Sequence, residues 1–522
     1  MDRKTLLAIS LCFLIYLGWQ KFYIEPRFPV GKTGAPTAQT TPISSAPVKD
    51  SATTSQAAPT ATTPTKTREP QKMTLATSTG DAIISDTGPI FTDWTLKSYK
   101  LGLAPQAASV DLQSVTHQKG TLTLAFDSQS LGYLNQVQGQ FTQTAQGLVW
   151  SYEDQNVKLT REIVSSNQKP YVDLKFTAHF KTQAPKYGFI SILSQSVQDD
   201  PEAQDRQLVY WSNQSLERIS IKDEIPQKQI QGAVKYIGTT NRYFLMSVVD
   251  QNPAGSQGAL IQQVDRGTGR ISLVYPVSGN DVTFPVRVYF GPKELDVLRQ
   301  VEPTLDHTID FGWFTVFAYP LLKVLKWLYQ YVQNYGVAII LLTLLLKILT
   351  YPLTYKSMKS MKNMAKLQPQ LQKLRDKYKD DKEALNREML TLMRGNGYNP
   401  AAGCLPMIIQ MPIFFALYRV LYSSIELYHA PFAMWIHDLS YKDPFYVTPI
   451  LLSVTMFVQQ KLTPNTATDP AQAKMMQLMP LIFGAFMLTL PSGLTIYMLV
   501  NALASIVQQM ILNKKLDVKP AR

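Results

Sequence analysis

Lys347 is the residue of this sequence best placed to do chemistry. It stands inside Tyr335 to Tyr355, YGVAIILLTLLLKILTYPLTY, among neighbours that are almost all apolar. A run of roughly 20 apolar residues at 1.5 Å per residue matches a hydrocarbon core of roughly 30 Å, so this stretch is expected to cross a bilayer as a helix. A cation at mid-helix costs on the order of 3 kcal/mol to insert, and such residues usually face the bundle interior or a wet cavity. An ammonium there can attract an anion and hold it briefly. Two readings stand. If the helix meets water at Tyr351, Lys347 is one turn from the headgroups and its stem snorkels to them. If the helix runs on to Tyr355, the head must cover roughly 12 Å with a stem of roughly 6 Å, and the charge needs a hydrated cavity. Thr343, one turn away on the same face, favours the cavity.

Other chemistry is sparse. Cys12 and Cys404 are the only cysteines and both lie in apolar stretches, so the polar region between the first two spans has no disulfide and no thiolate metal site. His117 and His179 are the only histidines before His307, and no His/carboxylate cluster or glycine loop accompanies them. A non-catalytic region is expected there, with no cofactor.

The chain of 522 residues is 45% hydrophobic, yet its mean hydropathy is −0.08, an average of a membrane part and a polar part. Net charge is +13, and its placement decides what it means. From Lys356 to Arg394 eleven Lys/Arg stand against five Asp/Glu, a net of +6 beside the Lys347 span. This is the pattern of a cytoplasmic loop, without the aromatic interleaving of a single-strand binder, so no direct nucleic-acid function is expected.

The elements follow in chain order. Residues 1–24 form an apolar segment after a short basic start, with no small-x-small cleavage site; an uncleaved transmembrane anchor is expected. Residues 25–72 are a Pro/Thr/Ala-rich linker. Residues 73–305 show a period of two in Thr121 to Phe126, Tyr171 to Phe180, Ile271 to Tyr275 and Val286 to Phe290, punctuated at Gln251-Asn252-Pro253 and Arg266-Gly267-Thr268-Gly269, which predicts a large antiparallel β-sandwich. In 306–333, Lys323, Lys326, Gln330 and Gln333 make a polar stripe on an aromatic helix, which suits a helix lying in the membrane interface.

After the span at 334–355, Leu367, Leu371, Leu374 and Tyr378, then Leu385, Met389 and Leu392, give two narrow apolar seams and a helical hairpin over 356–399, its second arm capped by Asp380 and Glu383 and its first kinked at Pro369. Spans are expected at 400–427, 444–462, 475–490 and 494–512, with a periplasmic loop at 428–443, a cytoplasmic loop at 463–474 and a basic tail at 513–522. The expected fold class is therefore a polytopic α-helical membrane protein of six spans with a large periplasmic β-sandwich domain, both termini being cytoplasmic.

Several stretches resemble a known family over nearly the whole chain: Asp310-Phe311-Gly312-Trp313, Tyr351-Pro352-Leu353-Thr354, Leu367-Gln368-Pro369, Asn399-Pro400 through Gly403-Cys404, Ile409-Gln410-Met411-Pro412-Ile413-Phe414, Pro431 to Leu439, and Pro491-Ser492-Gly493-Leu494. The chain resembles the YidC membrane-protein insertases of Gram-negative bacteria, within the wider Oxa/Alb group. The β-region and Gly291-Pro292-Lys293 look like that family's periplasmic domain, which is similar to sugar mutarotases in fold without their chemistry.

The resemblance implies an inner-membrane insertase with no cofactor and no covalent step. Its last five spans would form the insertase core around a hydrophilic groove, open to cytoplasm and lipid and closed toward the periplasm. The family's groove cation is usually arginine, and the matching position here is Lys347, which keeps the charge without the planar fork. Thr343 and Tyr497 match groove-facing positions, with Gln410, Gln460 and Asn501 as further polar lining. The implied partners are nascent one- or two-span membrane proteins, the ribosome, the Sec translocon, a targeting receptor and the bilayer. Two other classes stay open: a secondary transporter would also carry an intramembrane cation but should show an inverted repeat, and an envelope scaffold would leave Lys347 unexplained.

Overall fold

The computed structural model describes residues 69–87, 90–112, 122–144, 147–195, 206–221, 224–252, 255–378, 381–395, 400–462 and 470–517. The expected anchor, most of the linker, and His117 lie outside them. The chain divides into two units, one within Met1–Tyr99, Ser109–Pro292 and Val297–Thr308, the other comprising Lys100–Ala108, Lys293–Asp296 and Ile309–Arg522.

The first unit is built of antiparallel strands. In Val172–Phe180 every second side chain, Val172, Leu174, Phe176, Ala178 and Phe180, is buried, which is what the pleat requires of a strand with one face in a core. This strand sits inside a nine-stranded sheet, between Asp281–Pro292 and Val157–Val164. A five-stranded sheet, centred on Thr268–Pro276 and Tyr187–Gln195, packs against it. The rings of Phe126 and Phe180 meet at 5.2 Å, those of Tyr275 and Phe284 at 4.9 Å, and Gly188 leaves room for the Phe284 ring, which a Cβ would approach to 2.9 Å. A four-stranded sheet beginning at Lys72–Ala76 adds Phe91 and Trp94 against Phe290. Gly267 supplies the positive φ of the turn between Gly258–Asp265 and Thr268–Pro276. His179 makes only an exposed pair with Asp281, at 2.7 Å, and no cluster of three metal-ligating side chains occurs among the described residues.

Helices follow: α1 (Leu295–Val301), α2 (Thr315–Val332), α3 (Tyr335–Lys377), α4 (Lys382–Gly395), α5 (Pro400–Ser423), α6 (Val447–Leu462), α7 (Pro470–Met487) and α8 (Ser492–Asp517). The entry to α2 is fixed by the Asp310 motif: Asp310 Oδ1 accepts from Gly312 N–H at 3.0 Å, Gly312 takes a positive φ, and Arg419 of α5 pairs with Asp310 at 3.6 Å. Two apolar helices, α2 and α3, are kept apart by a tight corner. Gln333 closes α2 in the left-handed conformation, and Asn334 caps α3 by accepting from Val337 N–H at 3.1 Å.

The helix that carries the span expected at 334–355 continues past Tyr355. α3 continues to Lys377 with Pro352 and Pro369 inside it. The reason is local: residues 356–377 change polarity, but their Lys, Met, Gln, Leu and Ala side chains remain strong helix formers. The hairpin seam forms farther along, where Leu367 and Leu371 are buried against Met389 and Leu392 of α4. Asp381 provides the cap expected from Asp380, its Oδ1 accepting from the N–H groups of Glu383 and Ala384 at 3.1 and 3.0 Å.

Among the described residues, two helices, Tyr335–Lys359 and Ser492–Lys514, are long and apolar enough to cross a bilayer, and α7 holds a shorter apolar stretch, Leu478–Met487. Their accessible faces are apolar: Leu345, Ile348 and Leu349 on α3, Leu481, Ile482 and Phe486 on α7, Val507, Met510 and Ile511 on α8. A water-soluble bundle would turn these side chains inward.

Candidate functional site

Lys347 lies on α3 across from α8. Its Nζ donates to Ser505 Oγ at 2.6 Å. The serine hydroxyl in turn donates to the Asn501 carbonyl at 2.8 Å, one turn back on its own helix. Those two bonds settle each role: the single hydroxyl proton goes to the carbonyl, and a lone pair of the same oxygen receives the ammonium. Thr343 is buried one turn from Lys347 and spends its hydroxyl on the Ile339 carbonyl at 2.7 Å, so it lines the site without offering a free donor.

On α8 the polar positions form one line. Tyr497, Asn501 and Ser505 recur every four residues and so share a helix face. The Tyr497 ring is fully buried, and the half-buried Gln410 of α5 reaches toward its hydroxyl, though no hydrogen bond of good geometry closes between them. The structure thus gathers Lys347, Thr343, Asn501, Tyr497 and Gln410 along facing helices. Gln460 is half-buried near the end of α6 and shares no hydrogen bond with Lys347, Ser505 or Tyr497. Ser505 escaped the sequence reading, although its four-residue step from Asn501 was there to be seen.

At the Tyr335 and Ser492 ends the helices are tied off. Asn334 Nδ2 donates to the Phe432 carbonyl at 2.9 Å, and the Phe432 ring lies so close to Gly336 that a Cβ would fall 2.0 Å from it. Ser492 and Gly493 donate their N–H groups to the carbonyls of Tyr441 and Leu439 at 2.7 and 2.9 Å, and Thr448 meets Thr495 at 2.9 Å. Asp443 sets the start of α6. Burial works against its charge, but the N–H and hydroxyl of Thr448, the N–H of Phe445 and the Trp435 indole hold its carboxyl below the usual range.

A second charged cluster lies beyond the end of α5. Lys326 of α2, expected in the polar stripe of an interfacial helix, turns into the protein. Its Nζ stands 2.6 Å from Asp296, 3.5 Å from Glu294 and 3.6 Å from Glu426, while Lys323, Gln330 and Gln333 stay exposed. α5 ends at Ser423, so Glu426 falls in the 3-10 turn Ile425–Leu427 outside the helix, with its side chain only 7% accessible. Burial pushes its carboxyl up to about 7 even with Lys326 drawing it down. Burial alone would lower Lys326, and the three carboxylates outweigh it and raise it.

Residues 327–519 match the family described as 60Kd inner membrane protein, and residues 72–324 match the YidC periplasmic domain. The chain is 33% identical over 548 residues to a membrane protein insertase YidC of Geobacter metallireducens, with 100% of both chains covered. To one of Pelobacter propionicus it is 34% identical over 552 residues, covering 98% of this chain and 99% of that one. Among solved structures, an active YidC insertase with its first transmembrane domain resolved is similar at 19% identity, over 85% of this chain and 93% of that one, with a TM-score of 0.35.

Proposed function

This chain belongs to the YidC family of membrane protein insertases, and on that premise we propose that its groove is the polar line running from Gln410 and Tyr497 past Asn501 to Lys347. The observation that carries the reading is an ammonium half-buried between α3 and α8, where the exposed side chains on both helices, Leu345, Ile348, Leu349, Leu503 and Val507, are apolar. A polar tail moved through hydrocarbon loses water from its charges and peptide groups, and that loss is the barrier. A hydrated groove keeps the tail solvated for part of the way. Lys347 attracts its acidic residues, and the tail crosses the thinned remainder as its apolar helix slides into lipid.

Six spans with both termini in the cytoplasm fit the loop charges, with the +6 hairpin on the same side as the tail. The tied-off ends at Tyr335 and Ser492 then close the groove toward the periplasm. The hairpin of α3 and α4 is the surface that would meet nascent chains, the ribosome or a targeting receptor, and the Sec translocon is a further partner. A transporter or scaffold reading draws on no specific feature of this arrangement.

The test is insertion into liposomes containing this protein alone, of a one-span substrate with an acidic, a neutral or a basic tail, scored by protection from external protease. Lys347→Arg should stay near the parent, Lys347→Met should slow the acidic tail most, and Lys347→Glu should be worst for it. A Coulomb pair at 4 Å is worth about 1 kcal/mol in water and about 4 at an effective dielectric near 20. A Lys347→Met defect between a few-fold and roughly a few-hundred-fold follows for a groove between those limits. Equal effects on all three tails would remove Lys347 from the mechanism.

A further inference from the structure

Lys347 has one fixed acceptor among the described residues, and it is neither a carboxylate nor its own helix. An ammonium carries three donors, so the bond to Ser505 leaves two of them open. The depth of the pair is telling. Lys347 is twelve residues from the start of α3 and Ser505 thirteen from the start of α8, roughly 18 and 20 Å along the two axes. Both helices start at the tied-off end, so lysine and serine stand level. The stem therefore extends sideways across the gap between helices instead of along α3 toward either end.

We propose that Ser505 is a positioning residue for Lys347: it fixes the ammonium at mid-depth with one N–H and leaves the other two directed at a carboxylate of the passing tail. This rests on the groove reading above. Three features fit the role. The Ser505 proton is committed to Asn501, so the oxygen always presents a lone pair to the lysine. The acceptor is neutral, so it holds the cation without cancelling the charge that attracts the substrate. It also uses only one of the three N–H groups, so a carboxylate can add beside it without displacing it. Among the described residues Ser505 is the one side chain that accepts from Lys347, and without it the flexible stem carries the head toward the nearest headgroups.

Two measurements test this on the full chain in liposomes. The first is the ratio of insertion rates for acidic and neutral tails, in a cycle of Lys347→Met, Ser505→Ala and the double variant, with Ser505→Thr to restore the hydroxyl. Ser505→Ala should lower the ratio by about ten-fold when lysine is present, a change of the size that a hydrogen bond to a charged group supports. It should change nothing further in Lys347→Met, and Ser505→Thr should recover most of the ratio. The second measurement is labelling of Lys347 by a water-soluble amine reagent, read peptide by peptide, which should rise in Ser505→Ala. An equal loss for both tails, or a loss that persists in Lys347→Met, would make Ser505 a packing residue and overturn the proposal. So would unchanged labelling. If Lys347→Met itself shows no dependence on tail charge, the groove reading falls and this proposal falls with it; if it does and Ser505→Ala leaves the ratio unmoved, only this proposal fails.

Discussion

Glu426 and Lys326 face each other at 3.6 Å, too far for a hydrogen bond, with the glutamate almost wholly buried. They join α2 to the end of α5, and Glu294 and Asp296 complete the cluster from the segment ahead of both.

The titration of this pair has a definite sign. Glu426 goes from 4.5 in the unfolded chain to about 7 in the fold, so the folded state binds its proton more tightly and the stability it allows declines as pH rises from 4.5 through 7. Lys326 is raised, so its contribution is present below 10.5 and does not change across that window. Lys326→Met leaves Glu426 without its cation, which costs about 3 kcal/mol where the carboxylate must stay charged and less where it can take a proton. Melting in detergent should therefore show a larger loss at pH 8 than at pH 6, and Glu426→Gln should abolish the difference. Equal losses at both pH values would contradict the assignment.

Gly336 has no room for a methyl group. Its Cβ would lie 2.0 Å from the Phe432 ring, beside the bond from Asn334 to the Phe432 carbonyl. Gly336→Ala should lower stability by about 1 to 3 kcal/mol through overpacking. Adding Phe432→Leu should recover part of it, and a melting temperature unchanged by Gly336→Ala would show that the ring yields freely.

Topology can be checked directly. Reporters fused after Ser45 and after Lys442 should read periplasmic, and those after Lys382 and at Arg522 cytoplasmic. A cytoplasmic signal at Lys442 would end the six-span proposal.

The hairpin should be needed for insertion but not for residence in the membrane. Deleting Lys373 to Arg387 removes the end of α3, the start of α4 and the connection between them, with six of the eleven cations and four of the five carboxylates of 356–394, and is expected to abolish insertion. Full activity after the deletion would reduce the hairpin to a solubilising loop.

What the sequence disclosed depended on how local each signal is. Val172–Phe180 was legible because its alternation is written in consecutive residues. Lys347 stood out because a lone cation in an apolar run has no bland surroundings to hide in. Ser505 did not, because serine in an apolar helix commonly bonds its own backbone, and its does; the lysine contact depends on which faces of α3 and α8 meet, 158 residues apart. The partners of Lys326 were hidden for the same reason. Its spacing matched the polar stripe of an interfacial helix, while its partners come from 30 and 100 positions away. The continuation of α3 to Lys377 was not legible, because hydropathy changes at Tyr355 and helix propensity does not.

The unbroken run of α3 makes it a lever. From Pro352 to Lys377 the helix extends roughly 38 Å, so a rigid tilt of the whole helix by about 10° about Pro352 would swing the hairpin end by roughly 6 Å. Lys347 lies only five residues on the other side of that fulcrum, roughly 8 Å away, and the same tilt would displace it by little more than 1 Å. A large excursion of the hairpin is thereby geared down to a small adjustment at the ammonium.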